Sequence, residues 1–359
     1  MGSGSPHIRL SSTGSYPRAG ENPESQLLEK TVASFDRGER TSADLLDAQN
    51  TVTRRAIADQ VRAGLEIVTD GQIRWNDPIS HLAAKIDNVE LRGALPFFDT
   101  GRNFRQPICT GTLLRRGTLI VDEYSFARNA LGHLPTPPEK AGKLAIKPVL
   151  TGPYTLAKLS ESESHTTNGA SKRHSHLEDR ATAFAEILAN EVDALARAGA
   201  HLVQFDEPAI LAHPQDWPIF AAAIEHLLES RDKKKPAPKL DLALYTYFGD
   251  AQPLYEKFIT LPVDILGFDF ATSPALADRI ADEGSPKSLA LGFIDGRNSK
   301  MEASAEVARK IDRLLAKISG KHVLLGTSCG LEYLTADIAF AKLALLPVVL
   351  AEISGTPKP

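Results

Sequence analysis

The chain has only two cysteines among its 359 residues, Cys109 and Cys329. They are far apart in sequence, and no C-x-x-C or C-x-H spacing occurs. A disulfide framework and a compact zinc knuckle built from neighbouring residues are therefore excluded. Because free cysteines are typical of a reducing compartment, we expect a cytoplasmic protein.

Long apolar runs and a charge bias are also missing. No segment approaches the roughly 20 apolar residues that a membrane-spanning helix needs. The amino-terminal residues lack the apolar core of a signal peptide, and we expect residues 1–7 to be a flexible tail. Lys plus Arg number 41 and Asp plus Glu 45, a formal net charge of −4. This balance argues against nucleic-acid and membrane partners.

Several nucleotide and metal motifs are absent as well. No G-x-G-x-x-G opens the first helix, and neither a P-loop nor an H-E-x-x-H occurs. An open, doubly wound sheet is therefore the weaker alternative for the fold. His174 and His176 form an H-x-H pair in a polar segment, residues 161–176, that we expect to be mobile. They are a weak metal candidate, because no ligand in a fixed element lies beside them.

What the sequence contains is a repeated unit, an apolar run that ends in small or polar residues and is mostly followed by a helical pattern. Such a repeat predicts one (β/α)8 barrel over residues 1–359, with its site where the carboxyl ends of the strands converge. The predicted strands are residues 8–15, 65–68, 146–152, 202–206, 240–247, 264–270, 289–295 and 322–326.

Residues 72–145 interrupt this rhythm after the second strand. They predict a subsidiary insertion beside the barrel mouth, because so long a segment is not a plain loop. Its predicted elements are short strands at 89–91, 107–110 and 119–121, and a helix at 122–131.

Two adjacent acids, Asp206 and Glu207, end the apolar strand 202–206 and precede Pro208. Carboxylates at a barrel tip can bind an ammonium group, hold a metal or act as a base. The alternative is a helix cap together with a surface acid. We favour function, because Asp206 ends so apolar a strand.

Other predicted strand ends carry further candidates. Gly14 and Ser15 offer a backbone N–H and a hydroxyl that suit a carboxylate, although a plain turn explains them equally well. Cys329 follows the last strand as a candidate nucleophile or metal ligand, and an inert buried thiol is the alternative. After the seventh strand, Arg297 can bind a carboxylate or phosphate, and Asp295 is a catalytic candidate or its structural partner.

Several short motifs, taken together and in order, resemble the cobalamin-independent methionine synthase family. The resemblance spans nearly the whole chain. Its motifs are Thr13-Gly14-Ser15-Tyr16-Pro17-Arg18, Ala63-Gly64-Leu65 with Asp70-Gly71, Leu150-Thr151-Gly152-Pro153-Tyr154-Thr155, Gln204-Phe205-Asp206-Glu207-Pro208 and Ser328-Cys329-Gly330-Leu331.

The resemblance implies transfer of a methyl group, usually from a methylated folate, to the thiol of homocysteine held on zinc. By this resemblance Ser15 would bind the amino-acid carboxylate and Asp206 the ammonium group. Cys329 would be a zinc ligand, and Asp269 would lie where the family has a glutamate ligand. The predicted substrate-binding residues also include Arg18, Asp77, Glu207, Tyr245 and Tyr247.

The chain departs from the family pattern at the fifth strand. Where the family has His-x-Cys, this sequence reads Tyr245-Thr246-Tyr247-Phe248. This segment and Gly296-Arg297-Asn298 resemble the family's amino-terminal half, which lacks the catalytic zinc. Among the positions that the resemblance assigns to zinc, only Cys329 and Asp269 remain as weak metal candidates, too few for an ordinary zinc site.

Three functions stay open on this evidence. The first is a methyltransferase for a small thiol such as homocysteine, divergent and without a complete zinc site. The second is a non-catalytic barrel that binds a pterin or an amino acid and works with a separate catalytic partner. The third is a lyase or hydrolase, because fold alone does not define function. A partner protein and a homo-oligomer are both compatible with the sequence.

Overall fold

The structure is a computed structural model, and it describes residues 7–18, 26–135, 142–163, 170–233 and 239–353. Residues 1–6 of the predicted flexible tail lie outside these ranges, whereas His7 begins the first strand. In the described part of the chain, no helix is both long and apolar enough to cross a bilayer.

The secondary structure alternates strands and helices along most of the chain. The strands are β1 (His7–Leu10), β2 (Ile67–Val68), β3 (Ile86–Pro96), β4 (Asn103–Arg115), β5 (Ala145–Ile146), β6 (Val149–Thr151), β7 (Glu161–Ser162), β8 (Leu202–Asp206), β9 (Asp241–Thr246), β10 (Ile265–Asp269), β11 (Ser288–Ile294) and β12 (His322–Thr327). The helices are α1 (Leu27–Asp36), α2 (Ser42–Arg62), α3 (Ser80–Ala83), α4 (Val121–Gly132), α5 (Pro153–Lys158), α6 (Ala170–Arg197), α7 (Ala209–Ala212), α8 (Trp217–Asp232), α9 (Tyr255–Phe258), α10 (Pro274–Glu283), α11 (Ser304–Leu315) and α12 (Ala336–Glu352).

The described chain divides into two units. The first takes its residues from 1–74, 125–147 and 267–359, and the second from 75–124 and 148–266. The prediction of a single domain over 1–359 is not tested by this division and stays a prediction.

The first unit contains parallel strands in the order β1-β12-β11-β10, together with the parallel pair β2 and β5. The chain passes from one partner strand to the next at the end of β1. The Ser11 amide donates to Leu325 O at 2.9 Å, and the Ser12 amide donates to Ile67 O at 2.8 Å. The regular strand β1 therefore ends at Leu10, earlier than the predicted residue 15. Its backbone pairing continues to Ser12.

The second unit contains the parallel order β6-β8-β9. The third predicted strand is interrupted, since β5 ends at Ile146 and β6 begins at Val149. Pro148 lies in the gap and has no N–H to donate to a ladder. With β5 and β6 counted as one interrupted strand, the parallel strands give the eight positions of a (β/α)8 barrel, which confirms the predicted fold class.

The predicted insertion contains a long antiparallel hairpin, formed by β3 and β4 and extended by the short strand β7. The predicted strand at 119–121 is wrong, because α4 begins at Val121. The reason is the carboxylate of Glu191 on α6, which accepts the amides of Leu119, Ile120 and Val121 at 2.8, 2.7 and 3.2 Å. These amides point at an acid instead of a neighbouring strand.

The polar segment 161–176 also differs from its prediction. Residues 164–169, and with them His165, lie outside the described ranges. From Ala170 onward the chain is already part of α6, so the H-x-H pair lies in a helix instead of a mobile loop. The helix ends where predicted, before Gly199, whose φ of 97° favours glycine.

The capping role of Glu191 leads to a first prediction. Its side chain is fully buried and also pairs with Arg115 at 2.5 Å. Glu191→Gln turns an amide NH2 group toward buried donors and leaves Arg115 without its anion. We expect a loss of about 3 kcal/mol in the free energy of unfolding. Chemical denaturation measures it, with Glu186→Gln on the exposed side of α6 as the control; equal stabilities of the two variants would contradict the role.

Candidate functional site

In the second unit, one residue from each parallel strand forms a polar row at the carboxyl ends. Thr151, Asp206 and Tyr245 are register partners across β6, β8 and β9. Because paired residues of adjacent strands project from the same face of a sheet, the three side chains lie side by side. Gln204, one layer below, donates from Nε2 to Asp206 Oδ1 at 2.6 Å. The sequence prediction included Asp206 and Tyr245 but missed Thr151 and Gln204.

The electrostatics of this row keep Tyr245 protonated. Burial, followed by the negative charge of Asp206, holds the pKa of Tyr245 well above its usual range. A neutral phenol can donate a hydrogen bond at physiological pH, and the acid beside it can accept one. The row therefore offers a carboxylate for an ammonium group and a hydroxyl for a second polar atom.

Glu207 points away from this row and has a different environment. Its side chain is inaccessible to solvent and accepts hydrogen bonds from Tyr154 N at 2.9 Å, Thr155 N at 2.8 Å and Thr155 Oγ1 at 2.6 Å. A Cβ at Gly152 would lie 2.2 Å from Glu207 Oε1, so only glycine fits there. These contacts brace the start of α5 against the end of β8.

Burial raises the pKa of Glu207 to about 7, and the hydrogen bonds from Thr155 and Tyr154 offset only part of this effect. Glu207 therefore gains or loses its proton near neutral pH instead of near pH 4.5. With all its contacts inside the fold, we interpret Glu207 as a bracing group. Its predicted role in substrate binding remains untested.

Asp77 is likewise engaged by the protein. Its Oδ1 accepts the amides of Ile79 at 2.9 Å and Ser80 at 2.6 Å, and Oδ2 accepts the Ser80 hydroxyl. The Arg105 amide of β4 donates to Oδ2 at 3.3 Å. Asp77 therefore caps α3 and connects it to the hairpin, and its predicted role in substrate binding also remains untested.

Aromatic rings cover the end of β9. Phe248 packs its ring 4.5 Å from Tyr247, 5.8 Å from Phe98 and 6.2 Å from Phe97. Both Phe98 and Phe248 have positive φ, 51° and 69°, a backbone conformation that costs a bulky residue on the order of 1–3 kcal/mol. The ring contacts join the hairpin turn to the end of β9, the strand that carries Tyr245.

In the first unit, a second cluster surrounds Cys329. The thiol is fully buried, and its Sγ donates to Gly330 O at 3.3 Å. Burial first, and then the negative charge of Asp269, holds the pKa of Cys329 well above its usual range. The thiol is therefore neutral at physiological pH, whereas a nucleophile or metal ligand acts as the thiolate.

Ser15 lies against the same loop. The Leu331 amide donates to Ser15 O at 2.8 Å, and a Cβ at Gly330 would lie 2.0 Å from Ser15 Oγ. The preceding Gly14 accepts the Thr69 hydroxyl through its carbonyl at 2.6 Å. Arg18 lies further along the chain, half-buried at a cavity of about 20 Å³, room for a single water molecule.

Asp269 and Asp295 accept hydrogen bonds from residues of the turns that follow them. Asp269 accepts the amides of Ala271 at 2.9 Å and Thr272 at 3.0 Å on Oδ1, and the Thr272 hydroxyl at 2.7 Å on Oδ2. Asp295 accepts the Arg297 amide at 2.8 Å, and Arg297 itself is exposed. The structure therefore places Asp269, Asp295, Arg297 and Cys329 in one unit, where Asp269, Asp295 and Arg297 all act electrostatically on the thiol.

These donors do not fit a zinc ion. Both oxygens of Asp269 already accept hydrogen bonds from the turn that follows it. By the resemblance described above, Tyr245 and Tyr247 stand where the family pattern would supply an imidazole and a thiolate. Over the described ranges, no group of three or more His, Cys, Asp or Glu side chains is arranged to hold a metal, whereas a zinc site usually takes at least three protein ligands.

A barrel with polar groups at the carboxyl ends of its parallel strands has the general architecture of a small-molecule enzyme. Residues 128–319, more than half of the chain, match the family described as "Cobalamin-independent synthase, N-terminal domain". The chain therefore belongs to the cobalamin-independent synthase family, a family of methyltransferases, as its motifs predicted. The match to an N-terminal domain agrees with the predicted likeness to the amino-terminal half.

Individual relatives extend over nearly the whole chain. A methionine synthase of Saccharolobus solfataricus is 26% identical over 331 residues, covering 92% of this chain and 90% of that protein. A B12-independent methionine synthase of Shewanella, solved with selenomethionine, has a TM-score of 0.72 at 21% identity, covering 95% of this chain and 96% of that one. A provisionally assigned B12-independent methionine synthase of Listeria monocytogenes has a TM-score of 0.70 at 16% identity, covering 96% and 98%. These structures confirm the barrel fold.

The buried carboxyl of Glu207 predicts a dependence of stability on pH. An acid with a raised folded-state pKa binds more protons when folded, so stability falls as the pH rises from about 4.5 to 7. Glu207→Gln removes this titration, and we expect the decline over that range to shrink by about 2 kcal/mol. Urea denaturation at several pH values measures it, with the exposed Glu225→Gln as the control. An unchanged slope in Glu207→Gln would show that Glu207 is not the titrating group.

The contact between Ser15 and Gly330 predicts a steric effect. Gly330→Ala forces a Cβ into the Ser15 hydroxyl, and we expect a loss of about 2 kcal/mol in stability. Adding Ser15→Gly should recover part of this loss, because it removes the clashing atoms. Gly93→Ala, where no heavy atom lies within 4 Å of the added Cβ, is the control. Thermal denaturation of the four variants decides, and additive effects of the two substitutions would contradict the contact.

Proposed function

We propose that the chain is a methionine-synthase-like methyltransferase that binds a sulfur amino acid, with homocysteine as the methyl acceptor. The observation that carries this proposal is the polar row of Thr151, Asp206 and Tyr245 at the ends of three parallel strands. The Shewanella relative was solved with selenomethionine, an amino acid of the same chemical class. Family membership supports methyl transfer as the reaction class.

In this proposal Asp206 receives the ammonium group of the amino acid. A charge-assisted hydrogen bond to a largely buried carboxylate is stronger than a neutral one, and Gln204 already orients Oδ1. The neutral hydroxyl of Tyr245 donates to a second polar atom of the ligand. Binding and orientation of the acceptor are therefore the contributions of these residues to catalysis.

The reaction itself transfers a methyl group from the donor to the sulfur of the acceptor, whose thiol proton is released. We propose a methylated folate or a related small molecule as the donor. Because the donor set does not fit zinc, we assign no step to a metal. Asp295, Arg297 and Cys329 stay proposed catalytic residues, with Arg297 the group suited to an anionic part of a ligand.

A second candidate function is a non-catalytic barrel that binds an amino acid or a pterin beside a separately encoded catalytic chain. The match to an N-terminal domain and the substituted metal ligands favour it. Two measurements separate the candidates: binding of L-methionine to the purified protein, and methionine formation from homocysteine with a methylated folate. Binding of methionine without turnover would favour the second candidate, and turnover by the chain alone would exclude it.

The proposed role of Asp206 gives a direct prediction. Asp206→Asn keeps the shape but removes the charge, and we expect the Kd for L-methionine to rise by about 10- to 100-fold, or 1.4 to 2.8 kcal/mol. Isothermal titration calorimetry measures it. Asp241→Asn, at the opposite end of β9, is the matched control and should bind like the wild type. An unchanged affinity in Asp206→Asn would remove Asp206 from the binding site.

A further inference from the structure

The loop after β11 carries Asp295 and Arg297, and side chains determine its conformation. Three successive amides donate to side chains instead of to a strand. Asp295 N donates to Glu302 Oε1 at 3.0 Å, and Gly296 N donates to Ser328 Oγ at 3.1 Å. Arg297 N donates to Asp295 Oδ1 at 2.8 Å. Glu302 therefore holds the first amide of the series.

Glu302 is itself held by Lys342 of α12. The Lys342 side chain is completely buried, and its ammonium group donates to Glu302 Oε1 at 2.8 Å, Glu302 Oε2 at 3.0 Å and Lys300 O at 2.5 Å. An ammonium group has three protons, and three acceptors surround it. The other buried residues of this helix are apolar: Ala339, Leu343, Leu346 and Val349. Lys342 is therefore the one charged group on the buried face of α12.

Stability alone is a weak explanation for such a pair. Removing two charges from water costs several kcal/mol per ion, and apolar replacements of similar volume are often neutral or stabilising. A buried ion pair does, however, impose one geometry, because each partner loses heavily if the other moves away. Here that geometry extends through Glu302 to the Asp295 amide and through Lys300 O to the far end of the same loop.

The loop also borders a cavity. Asp295, Asn298, Lys300 and Glu302 line a space of about 720 Å³, within the range of small-molecule pockets. A displaced loop would therefore change two features at once, the orientation of Asp295 and Arg297 and the wall of this cavity.

We propose that Lys342 and Glu302 are positioning residues, which hold the loop 295–302 so that Asp295 and Arg297 are presented in one fixed orientation. Neither residue needs to touch a ligand. The positioning itself is independent of the proposed function, and only its consequence for ligand binding rests on that function.

The test replaces the pair by residues of similar size without charge, Lys342→Met with Glu302→Met. Hydrogen exchange followed by mass spectrometry reports on the amides of 295–297 in the whole protein. We expect their exchange to accelerate at least 10-fold, while peptides from β11 and β12 and the midpoint of urea denaturation stay as in the wild type. The exposed pair Arg37 and Glu39, both replaced by Met, is the matched control and should leave the loop unchanged.

A conservative variant separates positioning from general packing. Lys342→Met with Glu302→Gln keeps a neutral acceptor oxygen for the Asp295 amide, so we expect it to restore much of the lost protection. Unchanged loop exchange in the Met–Met variant would overturn the proposal. Acceleration spread over the whole chain, with a lowered denaturation midpoint, would also overturn it, because the pair would then act on stability.

Calorimetry with L-methionine tests whether the conformation of the loop affects ligand binding. We expect the Met–Met variant to bind about 10-fold more weakly than the wild type, with the Gln variant in between. Loosened exchange with unchanged affinity would overturn the link between the loop and the ligand. If the wild type binds no methionine, the proposed function fails, and the exchange experiment alone decides whether Lys342 and Glu302 position the loop.

Discussion

A single buried carboxyl group determines how the end of β8 is built. Glu207 fills the space beside Gly152 and accepts hydrogen bonds from the first amides of α5, so the end of β8 and the start of α5 hold each other. Its neighbour Asp206 is then left on the opposite side, in the polar row with Thr151 and Tyr245. Adjacent residues leaving a strand point in opposite directions, and this alternation assigns one acid to the fold and the other to the candidate site. The arrangement depends on glycine at position 152, because any side chain there would displace the carboxyl group.

The chain has the barrel fold of its relatives, and several side chains at its strand ends differ from the family pattern that its motifs resemble. By its resemblance to the family, the end of β9 carries Tyr245, Tyr247 and Phe248 where the family pattern would supply an imidazole and a thiolate. A cysteine follows β12, and burial together with the nearby acid Asp269 holds its pKa well above the usual range. Because a barrel is stabilised by its strands and helices, and its chemistry is carried by residues at the strand ends, the two can diverge independently. This is why family membership assigns a reaction class to the chain more firmly than it assigns a set of ligands.

Other parts of the candidate site depend on groups that are distant in sequence. The loop with Asp295 and Arg297 is held by Lys342, about 45 residues further along the chain, through a buried ion pair of the kind whose main effect is on geometry. The turn of the β3–β4 hairpin reaches the end of β9 through Phe98 and Phe248, both in strained backbone conformations. In each case a contact within one unit orients a strand end that carries candidate residues.

Periodicity in the sequence was enough to predict the barrel and the bounds of β8, because an apolar run is a local feature of a few residues. Motifs were enough to predict the family and the chain's likeness to the amino-terminal half of the family's longer members. The direction of the Glu207 side chain, the protonation of Cys329 and the start of α4 under Glu191 were not predictable in this way. Each depends on burial and on partners tens of residues away, which only the tertiary structure brings together. The sequence by itself therefore determined the architecture and the candidate residues. The tertiary structure decided that Glu207 braces the fold and that Asp206 lies in the row with Thr151 and Tyr245, because burial and register depend on contacts between distant segments.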